Sequence, residues 1–198
     1  MYNYEDYKGV RNKTWEVLIE SGVGGLPVKV AQIAGVLGIG LMSIEKGREI
    51  VEFCKLPAEM TELGAFSVYT DKWNILYNGN ADRNTVRFLT AREIGHIVLR
   101  HEPKSLKVGC FTAYYFDGSG IKDGYAVEAD VFAAGLLSPA CVLWKYNIAE
   151  PDDIEKMCGL PREQALLRSG RMKKLIQRGS FLRHDLEKKV YEQFIRES

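Results

Sequence analysis

Residues 85–100 constrain this chain more than any other stretch, because their apolar side chains cover nearly every side of a helix. Val86, Phe88, Leu89, Ala91, Ile94, Ile97, Val98 and Leu99 spread over nearly every face at about 100° per residue, so a helix here is largely buried. Asn84 or Thr85 is placed to cap it, and the pattern runs to about Arg100. Inside the run sit Arg92, Glu93 and His96. Buried ionisable groups are costly unless paired or ligated, so each needs a partner. Arg92 and His96 are four apart and share a face, whereas Glu93 points about 100° away from Arg92. The acid that meets Arg92 is therefore Glu128 or another acid on the facing helix. Removing one member of a buried ion pair typically costs about 3–5 kcal/mol.

The remaining elements follow from periodicity and turn chemistry. Residues 4–21 read as an amphipathic helix closed by Gly22-Val23-Gly24-Gly25, and Pro27 opens a second short helix over 28–36. From Gly38 to Tyr77 the texture is that of strands: one around Ile39–Ile44, a second over 64–70 and a third over 73–77. Asp71-Lys72 is placed as a two-residue hairpin turn between the last two. A loop is expected over 103–120, then a helix over 125–137 ended by Ser138-Pro139, then further helices to the end of the chain. The expected fold is α+β: a small, mainly antiparallel sheet packed on two core helices, with helical extensions at both ends. Residues 1–139 form the main unit and 140–198 a helical extension packed on it.

Composition excludes several classes of function. Apolar residues at 46% and charged residues at 27% describe an ordinary globular chain of 198 residues, and a formal charge of +1 gives no global case for nucleic acid or membrane. Met1-Tyr2-Asn3-Tyr4-Glu5-Asp6 shows no basic leader, and no apolar run approaches the roughly 20 residues of a membrane span. Cys54, Cys110, Cys141 and Cys158 are scattered without a CxxC pair, which fits reduced thiols in a cytoplasm. Residues 161–198 carry 10 Lys/Arg and 5 Asp/Glu, an excess of 5 that leaves the remainder at −4. With acids interleaved and no clear recognition helix, this tail reads as a solvated face rather than a DNA contact. Gly22-Val23-Gly24-Gly25 lacks the strand before it and the Lys-Ser/Thr after it that a phosphate loop needs.

Arg92-Glu93-Ile94-Gly95-His96 has the spacing of an HExxH zinc-peptidase helix with its first histidine replaced. A guanidinium has no free lone pair and stays protonated, so Arg92 cannot ligate a metal and repels a dication. Taken alone, Glu93-x-x-His96 is a common pattern and reads as a buried Glu–His pair.

Residues 27–139 resemble the ImmA/IrrE family of zinc metallopeptidase-like proteins, found beside phage and mobile-element repressors. The resemblance runs through PVKVAQIA with Leu37-Gly38-Ile39, through Asn74-Ile75-Leu76-Tyr77-Asn78, and through Arg87 to His96, where the family normally reads RFTLAHELGH. It continues through Glu128-Ala129-Asp130-Val131-Phe132-Ala133-Ala134 with Leu136-Leu137-Ser138-Pro139, and residues 154–175 resemble the family's helix-turn-helix-like tail. The resemblance implies a zincin-like minimal peptidase fold, with Glu93 at the general-base position and His96 at the second ligand. Arg92 stands at the first ligand position and Ala126 at the third, where related peptidases carry Glu. One imidazole cannot hold a catalytic zinc, so no cofactor is expected and Glu93 and His96 are vestigial.

Two functional classes follow from the resemblance. One is a catalytically inactive, protein-binding regulatory module whose partner is a helix-turn-helix repressor, without membrane contact or direct DNA binding. The other is an active zinc endopeptidase that cleaves such a repressor with a rearranged ligand set drawn from His101, Cys110 and Glu128. Against the second, His101 adjoins Arg100 and Glu102 and reads as solvent-facing. His184 lies in a charged helix and reads as surface.

Overall fold

The structure, a computed structural model, describes residues 7–56, 58–62, 64–108, 111–116 and 124–196. It begins with α1 (Lys8–Glu20) and α2 (Val30–Val36), then β1 (Gly40–Ser43) and α3 (Arg48–Phe53). Strands β2 (Ala65–Tyr69) and β3 (Trp73–Tyr77) precede the long α4 (Arg83–Val98). Strands β4 (Lys104–Val108) and β5 (Phe111–Phe116) lead to α5 (Gly124–Leu137), and four helices finish the chain: α6 (Ala140–Lys145), α7 (Pro151–Cys158), α8 (Arg162–Arg178) and α9 (Asp185–Arg196). The architecture is α+β.

The sheet has the order β1-β3-β2-β5-β4. Among the described strands only the β1–β3 pair is parallel and the other three pairs are antiparallel, so the sheet is mainly antiparallel as expected. Alternation sorts its two faces. Phe66, Val68, Leu76 and Ala113 join Cys54, Leu56 and Met60 in a small core, while Ile75 joins the main one. Ser67, on the other side of β2 from Phe66 and Val68, is fully buried and reaches α4.

Several expectations need correction. The strand-like stretch between β1 and β2 holds α3 and a 3-10 turn (Ala58–Glu62), because a parallel β1–β3 pair requires a crossover rather than a hairpin. The β2–β3 turn has three residues, Thr70-Asp71-Lys72, since Tyr69 pairs with Trp73 and Thr70 N–H donates to Lys72 O at 3.1 Å. The loop expected over 103–120 is largely the antiparallel pair β4–β5. The α4 cap is Asp82, whose carboxylate accepts from Thr85 N–H at 2.9 Å, rather than Asn84 or Thr85. The helix expected over 125–137 is α5, ended at Ser138-Pro139 as placed, but with α6 it makes an apolar stretch, Gly124–Lys145, that the sequence reading did not recognise. The most apolar window of that stretch has mean hydropathy 1.6 and is 61% buried inside the protein. Its apolar side chains are the core, with Phe132, Leu136, Cys141 and Leu143 fully buried.

One main core runs from Val10 on α1 to Phe194 on α9, so the C-terminal helices share it with the N-terminal ones. Gln193 Nε2 on α9 donates to the carbonyls of Leu18 and Val23, both at 2.8 Å. His184 is half-buried against Trp15, at 5.3 Å between ring centroids, rather than on the open surface. The closest approach that matters to the site is α4 on α5. A Cβ at Gly95 would stand 3.0 Å from Phe132 Cδ1 and 3.4 Å from Ala129 Cα. Phe132 has no exposed surface and cannot swing aside. Gly95→Leu is therefore expected to lose roughly 1–3 kcal/mol of stability through overpacking, read by urea denaturation. An unchanged midpoint would show that α4 and α5 are not in this close register.

Candidate functional site

Arg92, Glu93 and His96 on α4 each meet a partner from a different part of the chain. Glu93 is 1% exposed, and its Oε2 accepts from Ser67 Oγ on β2 at 2.7 Å. A carboxyl group this deeply buried needs such a partner, because a buried polar group left without a hydrogen bond is costly. Ser67 was not singled out in the sequence, although a lone hydroxyl between Phe66 and Val68 is the signal that could have found it.

His96 is answered by the chain that follows it. α4 ends on Leu99, with Arg100 left-handed at φ 58°. Arg100 N–H donates to Ile97 O at 3.2 Å and His101 N–H to His96 O at 3.1 Å, the paired bonds of a Schellman closure. This closure folds His101 back over the last turn. Its Nδ1 lies 3.0 Å from His96 Nδ1 and its Nε2 lies 3.2 Å from Glu128 Oε2. His101 is 6% exposed, so the solvent-facing reading is wrong. The misleading feature was Arg100, a side chain unusual at a left-handed closing position where glycine would have announced the turn. Aromatic rings wall the pair: Phe116 stacks on His96 at 4.8 Å and Tyr125 on His101 at 4.6 Å.

The hydrogen bonds fix the tautomers when both rings are neutral. An ionised Glu128 only accepts, so His101 carries its proton on Nε2. His101 Nδ1 then accepts, which requires His96 to donate from Nδ1. His96 is left with its lone pair on Nε2.

Arg92, 14% exposed at its side chain, places Nε 3.2 Å from Asp130 Oδ1 on α5. The partner is thus another acid on the facing helix rather than Glu128, which is engaged with His101. Glu128 and Asp130 lie about 200° apart around α5, so only one of them can face Arg92. Ala126 lies half-buried in the first turn of α5. Cys110 falls outside the described residues.

The residues present do not fit a catalytic zinc. Such a site needs three protein ligands around one open position. Here the deduced tautomers leave one imidazole lone pair, on His96. An ion-paired guanidinium stands one turn away, and among the described residues no three His, Cys, Asp or Glu side chains converge as a metal-holding group. Chemically the arrangement can hold a buried hydrogen-bonded network under an aromatic wall, with one cation half-covered at its rim.

Asp130 is 46% exposed, so the Arg92–Asp130 pair sits between a surface pair, worth up to about 1 kcal/mol, and a buried one. Arg92→Ala should cost about 1–2 kcal/mol in chemical denaturation, and Arg183→Ala, at an exposed guanidinium, should cost less than about 0.5 kcal/mol. Equal effects for the two would show that the pair has no structural role.

Comparison with known proteins leaves the site to be judged on its geometry: no protein-family model, no curated protein and no solved structure matches the chain.

Proposed function

We propose that this chain is an ImmA/IrrE-like protein, built on a zincin-like peptidase scaffold, that has given up metal catalysis and acts as a protein-binding regulatory module. What carries the reading is the Arg92–Asp130 ion pair at the position where the resemblance requires the first metal ligand. A fixed cation there replaces part of the charge of a dication, and the surrounding acids are already engaged with it and with His101. Glu93, at the general-base position, accepts from Ser67. The partner assigned by the resemblance is a helix-turn-helix repressor of the phage or mobile-element type. A reduced cytoplasm is the compartment that suits the free thiols Cys54, Cys141 and Cys158.

The alternative, an active zinc endopeptidase with a rearranged ligand set, draws support from the burial of His101 beside His96. It is the weaker reading because Glu128 and His96 already use the two ring nitrogens of His101.

Elemental analysis of protein purified without chelator is expected to find well under one zinc per chain. The Arg92→His, Ala126→Glu double variant is expected to bind zinc, more firmly than Arg92→His alone, because it restores the two absent ligands beside His96. Stoichiometric zinc in the parent, surviving dialysis, overturns the metal-free reading. A folded double variant that takes up no more zinc than the parent overturns the scaffold assignment. The partner is tested by co-expression with helix-turn-helix repressors encoded beside the gene. A stoichiometric complex with an uncut repressor is expected, and a cleaved repressor favours the peptidase.

A further inference from the structure

The unit α7–turn–α8 presents a surface that uses none of Arg92, Glu93 or His96. Its helices are joined by Gly159-Leu160-Pro161, with Gly159 left-handed at φ 61°. Ile154, Cys158, Leu160, Ala165 and Ser169 are buried. The turn is tied to α4: Arg87 Nη2 donates to Cys158 O at 3.2 Å and Asn84 Nδ2 to Leu160 O at 3.3 Å. The outward face of α8 is therefore held by the body of the protein.

That face has two halves. At about 100° per residue, Leu166, Leu167, Gly170 and Lys174 fall in one stripe with Glu163 and Gln177, and all six are exposed, Leu166 by 51% and Leu167 by 65%. A Cβ at Gly170 would meet nothing within 4 Å, so the apolar half is open. The far half is basic. Across α8, six Lys/Arg stand against one Glu, a net of 6 − 1 = +5. Arg162 is paired with Asp152 and Glu155, Lys173 with Glu150, and Arg168 donates to Ser138 O. Lys174 and Arg178 make no ion pair among the described residues and are exposed.

A helix-turn-helix that reads DNA places hydrogen-bonding side chains on this outward face to meet base edges. Here the part of the face nearest the turn holds Leu166, Leu167 and Gly170 beside the exposed carboxylate of Glu163, which would oppose phosphates, and the adjacent Arg162 is neutralised. Apolar residues toward one end and free cations toward the other suit an amphipathic helix laid side by side on α8, as in zipper-type helix pairing. We propose that α8 docks an acidic amphipathic helix of a partner protein, with the partner's apolar residues over Leu166 and Leu167 and its Asp/Glu over Lys174 and Arg178. This adds a second surface to the binding module proposed above, and it stands whether or not the remodelled site takes up metal.

The probe is a display library of short helical peptides selected on the full chain, with a mixed-sequence DNA duplex assayed in parallel. Selected peptides are expected to carry apolar residues at helical spacing followed by Asp/Glu. Leu167→Asp should weaken them about tenfold or more. Lys174→Glu with Arg178→Glu should weaken them and remove the salt dependence, and Arg183→Ala should leave them unchanged. Circular dichroism confirms that each variant folds, as substitutions at exposed sites should. The proposal is overturned if no peptide is enriched, or if the enriched peptides ignore Leu167→Asp. Duplex DNA bound tightly enough to displace the peptides, and lost on the charge reversals alone, would make this a nucleic-acid surface. A dimer of the chain that Leu167→Asp dissociates would make it a self-interface.

Discussion

A helix buried on nearly every side cannot carry Arg92, Glu93 and His96 without a neighbour for each, and α4 draws those neighbours from three directions. Ser67 reaches Glu93 from the sheet, His101 reaches His96 from the turn after the helix, and Asp130 reaches Arg92 from α5. Satisfying them fixes α4 between β2 and α5. Gly95 makes the last contact possible, because it brings the α5 ring of Phe132 to within contact of the α4 backbone. The polar demands of one helix and the packing of two layers are thus a single constraint.

The same constraint bears on the functional proposal. Arg92 is held by a carboxylate, and Glu93, buried where α4 meets β2, accepts from Ser67. His96 is braced by His101, which is braced in turn by Glu128. These contacts tie Asp130, Glu93, His96, His101 and Glu128, which could otherwise serve as ligand or base, to structural neighbours. On the reading proposed here, a scaffold with these ties keeps its shape without a metal and leaves its surfaces free for binding.

The elements most legible in the sequence were those whose signal is local. The strand Trp73–Tyr77 and the helix ending at Leu137 come out where alternation, periodicity and Ser138-Pro139 place them. The need for partners around α4 was legible too, because it follows from charge inside an apolar run. What failed was non-local. The pair β4–β5 carries Lys104, Ser105 and Lys107 on an edge strand, which dilutes the apolar alternation that marks a half-buried strand. The burial of His101 depends on a left-handed Arg100, where local preference argues against such a turn. The choice of Asp130 over Glu128 depends on how α5 is rotated against α4, which periodicity narrows only to a face.

The central claim is that hydrogen bonds within the protein, rather than a metal, organise His96. Long-range proton–nitrogen spectra of the imidazole rings test it directly, because each ring nitrogen reports whether it carries a proton, a lone pair or a metal. The account predicts, for neutral rings, His101 protonated on Nε2 and His96 on Nδ1, with neither pattern changed by one equivalent of zinc. A His96 Nε2 signal that moves to a metal-bound position at one equivalent of zinc would contradict it.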